Sequence, residues 1–188
     1  ELSGGLTQSA DSEGFVLSVG VSGAVATGQT GIAVAGQVSV NEIASDTAAY
    51  IVDQSLVEAG AVELDAVDDA DMISVAGAVA YGGRGGVGAA VAINQIDSSG
   101  VAGVRAQIAG GSAVTASTGG VSLGAASKSL IVSVTAAVGV APSSGFAGAV
   151  AVSVNTISVD TEAYIEDSSV VSAGDVTLSA EDVATIVS

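Results

Sequence analysis

The chain has no cysteine, no histidine, no tryptophan and one proline, and three cations stand against twenty acids. Each gap removes a class of function. Without cysteine there is no disulfide framework, thiolate metal site or cysteine nucleophile, and the redox compartment stays open. Without histidine the commonest general base near neutral pH and the commonest transition-metal ligand are both gone. Arg84, Arg105 and Lys128 are too few to neutralise a phosphate backbone, so no nucleic-acid partner is expected. A net charge of −17 is also repelled by an anionic membrane surface.

Aromatic residues make up only 3% of the 188 residues, whereas apolar residues make up 49%, mostly Ala and Val, with 26 glycines among them. Such a chain folds, because it is too apolar to stay disordered, but its core must be thin and closely spaced. The apolar runs are broken by Gly and Ser before they reach the length of a membrane-spanning helix. The aromatic girdles of an outer-membrane barrel are missing, so membrane insertion is not expected. Residues 1–13 carry neither a basic start nor an apolar signal region, which fits either a cytosolic protein or an internal piece of a longer one.

What is present is a repeat. The phrase "SVNEIASDTAAYI" at 39–51 returns as "SVNTISVDTEAYI" at 153–165 with nine of thirteen positions identical, 114 residues later. Half of that offset, 57, carries "TAAYI" at 47–51 onto "VRAQI" at 104–108, so there are three units, placed at about 14–71, 72–128 and 129–188 of a single 1–188 domain. The middle unit has a longer connection from Ile96 to Val104 and two extra residues in "TASTGGVSL". Length changes confined to Ser/Gly-rich segments are what surface loops between fixed strands tolerate.

Each unit contains two alternating runs joined by a short turn, for example "VLSVGVSGAVA", "TGQTG" and "VSVNEI". A period of two with β-branched residues, bounded by Gly and Ser, predicts strands; the Gly content and the lack of a 3.6-residue period exclude helix. The alternation is between large and small apolar residues, not apolar and charged, which predicts tightly layered sheets. A β-solenoid satisfies this, with each 57-residue unit divided into three coils of about 19 residues and about ten coils forming a rod about 50 Å long. The rival is a β-sandwich or meander of hairpins closed by the Gly-rich turns. Asn41, Asn94 and Asn155, with Asp46 and Asp160, are expected at corners, where Asn tolerates left-handed backbone, or aligned as ladders between coils; the bland alternative is that each asparagine ends a strand in a separate turn. Tyr50, replaced by Gln107 in the middle unit, is expected at the surface.

The pattern carried by Val40, Asn41, Ile43, Asp46, Thr47, Ala49, Tyr50, Ile51, Val57, Ala59, Gly60, Val62, Leu64 and Ala66 resembles the repeats of large secreted bacterial filamentous adhesins and leukotoxins of the haemagglutinin-like class. The resemblance spans nearly the whole chain, although the middle unit lacks the Tyr and the Asp-Thr. It implies a right-handed parallel β-helix, secreted or displayed at the bacterial cell surface.

Chemistry is sparse. Asp65, Asp68, Asp69 and Asp71, with Glu63, form the only dense set of hard oxygen ligands, so calcium is the one cofactor to consider, though a solvated loop is the plainer reading and neither EF-hand nor β-roll spacing is present. Glu166 and Asp167 are adjacent on a strand and so face opposite sides, which does not suit acid/base catalysis; no enzyme is expected. The glycines of 81–88 lack a Gly-Lys-Ser/Thr ending and read as a turn. The charge is uneven: residues 1–71 hold twelve acids and no base, 72–159 one acid and three bases, and 160–188 seven acids. On a rod these would be axial bands. The near-neutral band would then join copies or neighbouring repeats, and Ser→Asp changes within 112–127 would block assembly. The function expected is a structural repeat module of an extracellular adhesin or filament, serving attachment or biofilm. The alternatives are a self-assembling fibre subunit and a module that binds glycans or surface proteins.

Overall fold

The computed structural model describes residues 4–98, 103–143 and 145–188, and all of its regular structure is β. Among the described residues thirteen strands occur in a fourfold cycle. The first rung holds β1 (Leu6–Ala26), β2 (Ile32–Ser45), β3 (Thr47–Ile51) and β4 (Leu56–Ala59). The second holds β5 (Val62–Gly82), β6 (Gly85–Ser98), β7 (Val104–Ile108) and β8 (Ala113–Ala116). The third holds β9 (Val121–Val140), β10 (Phe146–Ser158), β11 (Thr161–Ile165) and β12 (Ser169–Ser172), and β13 (Val176–Val187) begins a fourth. Equivalent strands stack in four parallel sheets, β1-β5-β9-β13, β2-β6-β10, β3-β7-β11 and β4-β8-β12. The chain is therefore a parallel β-solenoid. The turns at 27–31 and 83–84 reverse the chain between sheets, and β9 and β10 likewise lie in different sheets, so among the described residues no strand pairs with the next one as a hairpin would.

One expectation fails here. A 57-residue unit is a single coil, not three. At about 4.8 Å per rung, three rungs and part of a fourth rise only about 15–20 Å, whereas β1, 21 residues long, extends about 70 Å. The molecule is a broad, flat slab and not a thin rod about 50 Å long. The length variation does fall in loops: one residue, Asp46, separates β2 from β3, while five separate β6 from β7. Of those five, 99–102 lie outside the described residues. Across that difference the register holds, with Asn41 opposite Asn94 opposite Asn155 and Tyr50 opposite Gln107 opposite Tyr164.

The sheet containing β1 covers one side of the slab and the other three sheets close the opposite side, so the interior is two layers deep. Its contents shrink along β1, β5 and β9. At the wide end, Leu64, Leu123, Ile51, Ile108, Val104 and Val114 fill the core. Next come Met72, Ile96 and Ile131. Beyond an asparagine and serine seam the inside is almost all alanine, with Ala33, Ala35, Ala76, Ala78, Ala80, Ala90 and Ala92. Sheet separation follows side-chain size, so the slab tapers from a thick end, with its β3 and β4 strands, to a thin tip at residues 83–84.

Candidate functional site

The seam is the best-defined polar structure. Asn41 Nδ2 donates to Asn94 Oδ1 (2.8 Å), and Asn94 Nδ2 donates to Asn155 Oδ1 (2.7 Å), so one amide ladder crosses all three rungs. The expected ladder exists, but not at corners. All three asparagines sit inside strands, facing inward, and none has a left-handed backbone; among the described residues the non-glycines that do are Asp53, Gln54 and Asp167. A second column faces the first. Ser18, Ser74 and Ser133 are in register on β1, β5 and β9. Asn41 Nδ2 donates to Ser74 Oγ and Asn94 Nδ2 to Ser133 Oγ, each at 3.1 Å, while the Ser18–Ser39 and Ser133–Ser153 hydroxyl pairs close at 2.8 Å. The serine column was missed in the sequence. Its signal was there, in the Ser-Val pair repeated in "LSVGV", "ISVAG" and "VSVTA".

Asp46 and Asp160 do lie at the corner between the second and third sheets. Asp46 Oδ1 accepts from Gly103 N (2.9 Å), binding the first rung to the second, and Asp160 N donates to Ser98 Oγ (3.2 Å). Tyr50 is exposed as expected, and Tyr164 Oη donates to Gln107 Oε1 along the same surface column.

The calcium candidates are divided between two faces by the strand period. Asp68 points inward and is buried, with its two oxygens sharing the Ser45 hydroxyl at 3.1 Å. Asp65, Asp69 and Asp71 point outward with Glu63, and Asp69 pairs with Lys128 at 3.4 Å. No group of three acids that could hold a metal ion occurs among the described residues. The expectation of a solvated acidic loop also needs correction, because "ELDAVDDAD" lies within β5. An open groove of about 720 Å³ runs along the last rung beside β11, lined by Glu162, Tyr164, Glu166 and Ala180 but not by Asp167.

The outer surface is where the sequence composition becomes a feature. Along β5 the outward residues are Glu63, Asp65, Val67, Asp69 and Asp71, then Ile73, Val75, Gly77, Val79 and Tyr81. The same change occurs on β1, from Thr7, Ser9, Asp11 and Glu13 to Phe15, Leu17, Val19, Val21 and Val25, the last five each more than half exposed. The opposite face, β2-β6-β10, presents Val34, Val38, Val40, Ile93, Val150 and Val154. In the thin half of the slab the large apolar side chains are outside and the small ones inside. Arg84, at the tip, is the one charged residue in 72–96, and 14–41 and 129–158 have none. The axial charge bands therefore do not form: the neutral stretch folds back and forth as the thin half of every rung, and the acids gather at the thick half. Residues 112–127, singled out for charge insertion, lie in and around β8 and the start of β9, at the thick end.

No family model, curated protein or solved structure matches this chain, so the likeness of its repeats to filamentous adhesins stands on the sequence.

Proposed function

We propose that this chain is a structural repeat module of an extracellular bacterial filament or adhesin, secreted or held at the cell surface. The observation that carries this reading is the unbroken parallel register of three rungs, fixed by backbone ladders outside and the Asn/Ser seam within. Repeat stacks of this kind derive their stability from each rung's contact with the next, so they transmit position and stiffness and need no ligand. The 57-residue rung alters the mechanical role. Each advances only about 4.8 Å, so the module contributes breadth and two flat faces more than reach.

Two measurements test this. Small-angle scattering or electron microscopy of the purified chain should give a flat particle with a longest dimension of about 70 Å; a compact sphere would sink the stacked reading. Antibody against the chain should label intact cells, or material shed from them, in the organism that makes it. Labelling seen only after lysis would overturn the extracellular assignment.

A further inference from the structure

We infer that the apolar face of β1, β5 and β9 is an interface with a second copy of this chain, the two packed face to face with strands antiparallel and rung opposite rung. This rests on the structural-module reading and specifies how such modules join side by side. A single copy leaves Leu17, Val19, Val21, Val25, Ile73, Val75, Val79, Tyr81, Val132, Val134 and Val138 on one flat, β-branched surface without an acid or base among them. Contiguous apolar patches of this kind mark interaction sites.

Charge selects the partner and its orientation. Stacked in the same direction, two copies would press Glu63, Asp65, Asp69 and Asp71 against their own equivalents. Turned about an axis along the stack, so that Gly77 lies over Gly77, Ile73 faces Tyr81 and Val75 faces Val79 of the other copy. The same offset brings Arg84, exposed in the turn just beyond β5, level with Ala70 of the other copy, between its outward Asp69 and Asp71. Neither Arg84 nor Asp71 has an ion pair among the described residues. The acidic thick halves project beyond opposite ends of the pair, farther apart than the screening length of about 8–10 Å.

Area sets the strength. From Ile73 to Tyr81 the face is about 30 Å long and, over three rungs, about 14 Å high, or roughly 420 Å². A standard interface covers about 800 Å² per partner, which this face would reach with about six rungs, so three rungs give a weak, reversible dimer.

Sedimentation equilibrium of the whole chain from about 1 µM to about 1 mM tests it. Dimer is expected at the upper end, with Val75→Glu abolishing it and Arg84→Asp weakening it at least tenfold. Combining Arg84→Asp with Asp71→Arg should restore association, a result that mere misfolding cannot produce, and circular dichroism melts would confirm that each variant is folded. A monomer throughout the range overturns the inference but leaves the stacked module intact if scattering still gives the flat particle. A dimer indifferent to Val75→Glu and broken by Val38→Glu overturns it in favour of the opposite face.

Discussion

Asn94→Ala is expected to lower the unfolding free energy by about 2–4 kcal/mol, because it opens the interior ladder at its centre. Asn94 is 1% exposed and makes three hydrogen bonds, accepting from Asn41 and donating to Asn155 and Ser133. Removing it takes one partner each from Asn41, the half-buried Asn155 and the buried Ser133, and a polar group left unpaired costs about 1–3 kcal/mol where it is buried. For a chain of this size each kcal/mol lowers Tm by about 2–4 °C, so a shift of about 5–15 °C should be seen by calorimetry. Asn94→Leu separates causes. It refills the volume but not the hydrogen bonds, and it should be as damaging as alanine. A leucine variant as stable as the native chain would show that the seam contributes packing alone. Asn41→Ala should cost about half as much, since Asn41 lies on the first rung and is coupled to only one neighbouring rung.

Much of the fold was legible because a period-two pattern and a fixed offset are both written in the residues. The strands, the loop-confined length changes and the register of Tyr50 on Gln107 follow from them. The coil length did not, and the reason is physical. Coils of about 19 residues are a common solution for solenoids, but each coil must then close its own core, which requires similarity at that shorter spacing. Here "TAAYI" recurs only after 57 residues, because β1 alone is 21 residues long and two layers of such strands use up the unit. The direction of the alternation was hidden too. Val with Ala in "GAVAVSV" specifies two faces of different size, not which one is inside. Thin sheets pressed together accept the smaller set, and on the covered middle rung Asn94, in phase with the buried Ala90 and Ala92, marks that set as interior. The same phase identifies Ser18, Ser74 and Ser133. The acidic run of β5 misled for a related reason: "DDAD" is polar enough to suggest a loop, yet its outward members are on the face that meets water, and Asp68 alone turns in.

Gly86→Val should force the thin half of the slab open, because there the two sheets meet at backbone distance. A Cβ added at Gly86 would stand 2.4 Å from Val140 O and 2.7 Å from Ala80 O, and one at Gly139 would stand 2.5 Å from Gly86 O. These obstacles are carbonyls held in parallel ladders, not side chains that can rotate away, so the layers themselves must separate. Overpacking of this kind costs about 1–3 kcal/mol, more where the backbone must move. The damage should be local, since the Leu64, Ile108 and Leu123 core is at the other end of the slab. Hydrogen exchange would then rise across 76–92 and 133–151 while the thick half keeps its protection. Gly148→Val is the matched control. Its Cβ meets only Val87 Cγ2 at 4.0 Å on the outer face, so this variant should melt within about 1 kcal/mol of the native chain. If both valines were equally harmless, the layers could not be in backbone contact. The large residues would then be outside for some reason other than lack of room within. If only Gly86→Val opens the tip, exclusion by close approach explains the outward Val, Ile and Leu, and the exposed apolar faces follow from how thin the interior has become.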